Sequence, residues 1–320
     1  MNFRNKTKNQ HYISHTEQSL NAVDPLAVRS KRTIHMFTIL ERDPPVLSAP
    51  TSERIEDTLS GHDLFTFDVI DRRYRDNLEE QFQKYEQRVA DHSRALLQKL
   101  GAGSLDIKEE LVEVFAAKFL NMNRNPFSID KMLNTVGEAE RFIPADATLQ
   151  ALLEKVATGS RPHQTAVCAD YGLTSQTYER WLRALFVLLA PRSGLNIFED
   201  TVAGLFNNHH VTVQVNEYRD TDPCNVCLLS DRGVAFVSSK ADEAIIAFNI
   251  NSKAFAIYGF TDPEKRAPHL PPGATDSLRG KLVLRHKIDD LDDLASFNQR
   301  TIVYGKESVF AASPSPRLAR

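Results

Sequence analysis

The sequence has no hydrophobic run that approaches the ~20 residues needed to cross a bilayer. The longest apolar run, residues 184–190, ends at Pro191. Cysteine is scarce, with 3 residues in 320, so a disulfide framework is not predicted. The N-terminus, residues 1–6, is polar and lacks the apolar core of a secretory signal. Together these absences predict a cytoplasmic protein that does not enter a membrane.

Motifs that would identify several enzyme classes are also absent. The sequence contains no Gly-rich phosphate loop, no Gly-x-Ser-x-Gly and no His-Glu-x-x-His. It is therefore not predicted to be a P-loop NTPase, a dinucleotide dehydrogenase, an ordinary esterase or a zincin. The net charge of −3 argues against a protein that coats nucleic acid by charge alone, and it leaves room for a local basic face.

Hydrophobic periodicity changes along the chain and predicts an α+β fold. Residues 1–32 are predicted to form a basic N-terminal arm. A mainly helical region is predicted at 33–206, with one extended segment at 33–39. Residues 207–312 alternate in the manner of strands and predict a mostly antiparallel sheet. The tail, residues 313–320, contains a Ser-Pro repeat and is predicted to be disordered.

A long amphipathic helix is predicted from Arg72 to Leu100, where Gly101 and Gly103 end the pattern. Its apolar positions recur mostly at three- and four-residue steps: Tyr74, Leu78, Phe82, Tyr85, Val89, Leu96 and Leu100. Such a stripe can pack against a partner protein or a second copy of the chain. Further along, the Pro- and charge-rich residues 264–273 are predicted to form a loop.

Residues 164–182 match the spacing of a helix-turn-helix. Gly172 stands where the turn needs a left-handed residue, and Thr174 or Ser175 can cap the second helix. The exposed face of that helix would offer side chains suited to bases and phosphates: Ser175, Gln176, Thr177 and Arg180. The alternative is two packed helices that do not contact DNA. The flanking stretch, residues 161–192, has four arginines against two acidic residues, which is too small a surplus for strong non-specific binding.

Short motifs are spread over most of the chain: Gln10-His11-Tyr12-Ile13, Arg124-Asn125-Pro126, Leu229-Ser230-Asp231, and Phe297 to Tyr304 with Asn298. Together they resemble the uncharacterised bacterial family called domain of unknown function 4238. That family has His-Tyr-Val-Pro, Arg-x-Pro, Ser-Asp-Asn-Pro and an Asn-containing helix in the same order. The resemblance implies an intracellular bacterial protein and names no activity. Here Ser14 replaces the proline of the first motif, and Arg232-Gly233 replace the Asn-Pro of the third.

The motif residues have side chains suited to acid–base and anion chemistry. His11 is a candidate general acid or base, or a metal ligand, because the pKa of histidine lies near neutrality. Arg124 is a candidate anion clamp, and Asp231 a candidate carboxylate in a cleft. If the three converge, they make a hydrolytic or phosphodiester-cleaving site. Each has a structural alternative: a histidine that anchors the first strand, an arginine in a salt bridge, and an aspartate that bonds its own turn.

A zinc site is the alternative use of Cys224 and Cys227, with His209 and His210 as further ligands. Strand alternation would point the two thiols to opposite faces, and the adjacent histidines lack the usual spacing. No metal ligands are therefore predicted, although the sequence leaves open whether a divalent metal takes part in the chemistry.

Two hypotheses follow from these patterns. In the first, the protein acts on nucleic acid, as a nuclease or a DNA-binding effector in a phage-defence or stress context. In the second, it is a non-catalytic scaffold that uses the helix at 72–100 to bind a protein partner or to form an oligomer. The first hypothesis predicts that His11, Arg124 and Asp231 cluster in a cleft. The second predicts that they are dispersed and that the long helix exposes an apolar face.

Overall fold

The computed structural model describes residues 3–240, 243–266 and 273–319. Helices and mostly antiparallel sheets are both present, so the fold is α+β, as predicted. No helix among the described residues is long and apolar enough to cross a membrane. Parts of the predicted arm, loop and tail (residues 1–2, 267–272 and 320) lie outside the described residues.

Strands dominate the chain before Glu79. This part contains α1 (His15–Leu20), a turn of 3₁₀ helix (Arg29–Lys31) and the strands β1 (Arg4–Asn5), β2 (Asn9–His11), β3 (Thr33–Arg42), β4 (Pro45–Leu47), β5 (Thr51–Arg54), β6 (Ser60–His62), β7 (Thr66–Val69) and β8 (Arg75–Asn77). The sequence predicted only β3 among them. The other strands span two to four residues, which is too short for an alternating pattern to stand out.

Helices fill the middle of the chain. They are α2 (Glu79–Gly101), α3 (Lys108–Asn123), α4 (Ile129–Val136), α5 (Ala147–Thr158), α6 (Gln164–Tyr171), α7 (Ser175–Leu189) and α8 (Ile197–Asn208). The long helix was predicted to begin at Arg72 and begins at Glu79 instead. Residues 75–77 pair with both β1 and β7, so the strand interactions override the helical pattern there. Helix α3 and the second half of α7 run through the core, where most side chains are buried.

The remaining elements are β9 (His210–Glu217), β10 (Leu229–Ser230), β11 (Phe236–Ser239), β12 (Glu243–Asn251), β13 (Ala254–Thr261), α9 (Pro263–Arg266), β14 (Leu282–Ile288), α10 (Leu291–Tyr304) and β15 (Ser308–Ala311). One sheet has the order β11-β12-β13-β9-β14, antiparallel except that β14 runs parallel to β9. A second sheet has the order β10-β15-β3-β4, with β5 also paired to β3. Because β15 pairs with β3, the two ends of the chain share one sheet.

The C-terminal tail is ordered as far as it is described, whereas the sequence predicted disorder from residue 313. Ser313 is buried, and Leu318 packs against a small apolar cluster. The backbone N–H of Arg317 donates to the carbonyl of Cys224 at 2.8 Å, and its carbonyl accepts from Asn298 Nδ2 at 2.8 Å. These long-range bonds hold a segment that its composition alone would leave loose.

Candidate functional site

Strand β2 and helix α1 position two histidines close together. β2 ends at His11, which lies opposite Ser60 of β6. Ser14 Oγ then accepts from the backbone N–H of Glu17 at 3.0 Å and caps α1, which begins at His15. This cap fixes the turn in which the resembled family has a proline. The imidazole rings of His11 and His15 consequently lie with their centroids 6.0 Å apart.

Helix α1 is fixed to the core by a buried ion pair. Lys118 of α3 donates to Glu17, and both side chains are completely buried. Asn121 donates to the second carboxylate oxygen of Glu17. Breaking such a pair would leave an uncompensated charge in the interior, so the position of α1, and with it His15, is firmly held.

Arg124 follows α3 and is completely buried. Its Nη1 donates to Glu86 of α2, and its guanidinium carbon lies 4.8 Å from the centre of the Phe82 ring. Nε and Nη2 are buried and make no hydrogen bond within the described part of the chain. This pair of N–H groups forms the fork that binds a carboxylate or a phosphate through two parallel bonds. Arg124 therefore has an unpaired edge in the protein interior.

Both histidines are neutral at pH 7. Burial and, next, the charge of Arg124 lower the pKa of His11, so Arg124 lies in its immediate surroundings. Burial, followed by the charge of Arg29, lowers the pKa of His15 to about 4. The Nε2 atoms of both rings are buried without a hydrogen-bond partner among the described residues. A neutral imidazole with a free nitrogen can accept a proton from a bound molecule.

Glu79, the first residue of α2, adds a carboxyl group to the same region. Burial raises the pKa of Glu79 to about 8, although the charge of Arg124 opposes the shift. The side chain as a whole is partly exposed, but its Oε1 is buried and unpartnered within the described structure. At neutral pH Glu79 is therefore mostly protonated, and it can donate a proton.

These groups form one cluster, named here the His11–Arg124 cluster: His11, His15, Glu79, Glu86 and Arg124. Arg124 and Glu86 form an ion pair, and the charge of each influences the pKa of both His11 and Glu79. Five of the cluster's polar atoms are buried without partners. Buried polar atoms are nearly always hydrogen-bonded in folded proteins. Such a concentration of exceptions is typical of a site that binds a polar ligand or water.

Asp231, the third predicted catalytic residue, serves the backbone. Its two carboxylate oxygens accept three N–H groups, from Lys306 at 2.8 Å, Glu307 at 2.6 Å and Ser308 at 2.9 Å. Burial raises the pKa of Asp231, and these three bonds oppose the shift. The structure thus brings His11 and Arg124 together and uses Asp231 to hold the start of β15.

The neighbours of His11 and Arg124 in the sequence reach Asp231 instead. Asn125 Nδ2 donates to the carbonyl of Asp231 at 2.7 Å. Tyr12 and Asp231 line a cavity of about 330 Å³ together with Glu307. Each of the first two motifs is therefore divided, with one residue in the His11–Arg124 cluster and the next at Asp231. A larger cavity of about 630 Å³, lined mainly by apolar residues of α5 and the end of α7, includes none of these groups.

The predicted helix-turn has the expected local geometry. Gly172 adopts the left-handed conformation with φ 66°, and Thr174 caps α7 by accepting from the backbone N–H of Thr177 at 3.0 Å. Ser175 and Gln176 are exposed at the start of α7, and Thr177 is half-buried. The turn and the cap are confirmed, and DNA contact by these residues remains a prediction.

Three arginines around this turn already have partners within the chain. Arg180 makes a two-pronged contact with Glu140, with Nε 3.0 Å from Oε2 and Nη2 3.0 Å from Oε1. Arg161 pairs with Glu179 at 2.9 Å. Arg183 donates to the carbonyl of Glu140 at 2.6 Å. These three arginines therefore have partners within the chain, and Arg180, whose side chain is 48% exposed, would have to exchange Glu140 for a guanine or a phosphate.

The cysteines and histidines that were weighed as an alternative zinc site lie far apart. His209 and His210 lie at the beginning of β9, whereas Cys224 and Cys227 follow its end. A strand of this length spans ~25 Å at its usual rise per residue. Among the described residues, no group of three or more His, Cys, Asp or Glu side chains is placed to hold a metal ion. The fold therefore does not bring these cysteines and histidines together.

The apolar stripe of α2 faces the core of the same chain. Phe82, Tyr85 and Leu96 are buried in the main hydrophobic cluster, and Val89 of the same stripe is also buried. The face that the sequence offered to a partner or a second copy is therefore occupied. Tyr74, which was included in the stripe, lies outside the helix and is exposed.

Sequence reasoning missed Glu79 and Glu86. The helix was predicted to begin seven residues too early, at Arg72, so Glu79 fell among the exposed charges of its polar face. No local pattern marks either residue, because their partner Arg124 is 38 positions away from Glu86 in the sequence. Comparison with known protein families, curated proteins and solved structures found no match to this chain.

Proposed function

We infer that the protein binds a phosphate ester of nucleic acid at the His11–Arg124 cluster and hydrolyses it. The observation that carries this inference is the set of five buried, unpartnered polar atoms. They are the Nε2 atoms of His11 and His15, Oε1 of Glu79, and Nε and Nη2 of Arg124. A tetrahedral anion has several acceptor oxygens and can bind both unpaired N–H groups of Arg124. His11 would then be the neutral base and Glu79 the neutral acid of the site.

The reaction we propose is acid–base hydrolysis of a phosphodiester. His11 Nε2 takes a proton from water, whose oxygen attacks phosphorus and forms the new P–O bond. Glu79 gives its proton to the departing oxygen as the old P–O bond breaks. The Arg124 fork binds the non-bridging oxygens, where charge develops. The two protons return through solvent, so the net change is the addition of one water molecule.

Unpaired basic residues at the edge of the cluster favour nucleic acid as the substrate. Arg29 and Lys31 are exposed on the 3₁₀ turn and make no ion pair with a carboxylate of the described residues. The charge of Arg29 acts on both His15 and His11, so this turn is close enough to influence the two histidines electrostatically. Free cations beside a buried arginine fork suit a chain of phosphates.

Asp231 has a positioning role in this proposal. Through Asn125 it connects the loop after Arg124 to the beginning of β15. Of the four residues suggested for DNA contact, Ser175, Gln176 and Thr177 remain candidates for phosphate contact. Arg180 is not part of the proposal, because Glu140 occupies its fork.

The test is a cleavage assay with labelled single-stranded RNA, single-stranded DNA and duplex DNA, each with Mg²⁺, Mn²⁺ or EDTA. Wild type is expected to cleave at least one of them. His11→Asn and Glu79→Gln are each expected to slow cleavage by about 10² to 10⁴-fold, the usual contribution of a general acid or base. His62→Asn is the matched control, since His62 is exposed at the other end of the β2–β6 ladder.

The result that contradicts the proposal is an inactive wild type in every condition. Cleavage that persists unchanged in His11→Asn also contradicts it and would indicate a contaminating nuclease. A salt-sensitive gel shift without cleavage would leave nucleic-acid binding and remove the catalytic role.

A further inference from the structure

Two cationic side chains share the ring of Tyr304, at the end of α10. Lys131 Nζ of α4 lies 4.1 Å from the ring centre, and the guanidinium carbon of Arg232 lies 5.4 Å from it. Arg232 and Tyr304 are half-buried, and Lys131 is exposed. The three residues come from three separate elements and meet at an accessible surface.

No carboxylate within the described ranges forms an ion pair with Lys131 or Arg232. Burial and the charge of Arg232 lower the pKa of Lys131, and burial lowers the pKa of Arg232. Asp231 attracts Arg232, but its oxygens are engaged by three backbone N–H groups. Arg42 adds a further positive charge nearby. The fold thus holds like charges within range of one another, and Asp231, the acidic group that opposes their repulsion, forms no ion pair with either of them.

Hydrogen-bonding capacity at this place is also unused. Arg232 Nε and Tyr304 Oη are both buried without a partner among the residues that the structure describes. Contact with the aromatic ring offsets part of the repulsion between the two cations. The face of the ring is only a weak hydrogen-bond acceptor, so it does not replace a full partner for Arg232 Nε or Tyr304 Oη. An anion would satisfy the charges and the donors at once.

We propose that Lys131, Arg232 and Tyr304 form a second anion site, which binds a phosphate group. Phosphate fits because it carries up to two negative charges and offers several acceptor oxygens to an arginine, an ammonium and a phenol together. The site is separate from the free fork of Arg124 and goes beyond the hydrolysis proposed above. The phosphate is either free or part of a nucleic-acid chain, and both present the same chemistry to these residues.

The test is calorimetric titration with inorganic phosphate at constant ionic strength. Wild type is expected to bind. Arg232→Gln and Lys131→Gln are each expected to weaken binding by about tenfold, the size of one charged hydrogen bond. Tyr304→Phe keeps the ring and both cation contacts, so it keeps the fold, and it is expected to weaken binding by about threefold. Arg180→Gln is the control, because Glu140 occupies the fork of Arg180.

Equal phosphate affinity in wild type and the three site variants would overturn the proposal, as would a wild type that does not bind phosphate. A parallel titration with single-stranded oligonucleotides, with and without a 5′-phosphate, identifies the source. Dependence on Arg232 for both oligonucleotides indicates backbone phosphates, and dependence for the phosphorylated one alone indicates a terminal monoester. The titration measures binding and not cleavage. Its result therefore tests this anion site even if the protein cleaves none of the nucleic acids in the cleavage assay.

Discussion

Among single residues, burial most affects the chemistry of Arg124 and Glu79. Arg124 is completely buried and uses only Nη1 in an ion pair, with Glu86. Glu79 is placed where burial holds its proton at neutral pH. A protein optimised for stability alone would give these groups partners, because unpaired buried polar atoms cost free energy. Their persistence in one cluster is consistent with a binding role.

Replacing Glu79 with glutamine should stabilise the protein at alkaline pH. The unfolded chain releases the proton of Glu79 above about pH 4.5, whereas the folded protein keeps it until about pH 8. Wild-type stability from this group therefore falls as pH rises through that interval. Glu79→Gln should raise the free energy of unfolding by ~2–4 kcal/mol at pH 8 and by little at pH 4.5.

Urea denaturation at the two pH values measures this difference. Glu80→Gln is the matched control, because Glu80 is the adjacent, exposed glutamate. It should change stability by less than ~0.5 kcal/mol at either pH. An equal effect of both substitutions at pH 8 would show that Glu79 is ionised like a surface carboxylate.

Replacing Asp231 with asparagine separates a positioning role from a catalytic one. Asparagine offers one carbonyl oxygen where the carboxylate accepts three N–H groups, and its amide would face a backbone donor. Asp231→Asn should lower the free energy of unfolding by ~2–4 kcal/mol, while folded protein keeps its cleavage rate. Thermal unfolding and cleavage below the melting temperature measure the two effects. Unchanged stability with lost cleavage would instead make Asp231 catalytic.

At the scale of elements, packing within the chain decides what each helix can do. The stripe of α2 has the pattern of a partner-binding helix, yet it is buried in the main core beside α3. The pattern alone could not distinguish these outcomes, since an apolar face packs against whichever surface is available. Helix α2 begins seven residues later than predicted because residues 75–77 pair with two strands, β1 and β7.

Leu96→Ala should destabilise the folded monomer. Leu96 lies in α2 and is completely buried, so the substitution leaves a cavity that should cost ~2–5 kcal/mol. Gln87→Ala, on the exposed face of the same helix, should have an effect below ~0.5 kcal/mol. Urea denaturation and sedimentation measure stability and association together. Dissociation of an oligomer without loss of monomer stability would show that the stripe binds another chain.

At the scale of the whole molecule, the strongly periodic elements could be predicted from the sequence. Strands β9 to β15 lie within residues 207–312, where the sequence predicted a strand-rich region. The short N-terminal strands and the ordered tail could not, since they depend on partners far away in the sequence. Of the three residues predicted to be catalytic, Arg124 acts on His11 through its charge, whereas Asp231 binds backbone N–H groups. Glu79 was missed because its burial, which raises its pKa, depends on the folded chain and has no local sequence signal.

The motifs that resemble the bacterial family meet at one junction. Asn125 bonds to Asp231, and Gly233 adopts a φ of 71° with no room for a side chain, since a Cβ there would lie 2.6 Å from Ile13 Cδ1. Asn298 bonds the backbone of residues 226 and 228. Most motif residues therefore hold the junction together, and His11 and Arg124 differ from them in keeping free polar atoms.

The most direct test of the acid–base site is the pH dependence of single-turnover cleavage. The rate should rise as His11 loses its proton, which happens below the ordinary histidine value of 6.5, and fall above about pH 8 as Glu79 loses its proton. In Glu79→Gln the alkaline fall should disappear at a lower overall rate. A wild-type rate that continues to rise through pH 9 would contradict the account, because Glu79 could then not be the proton donor.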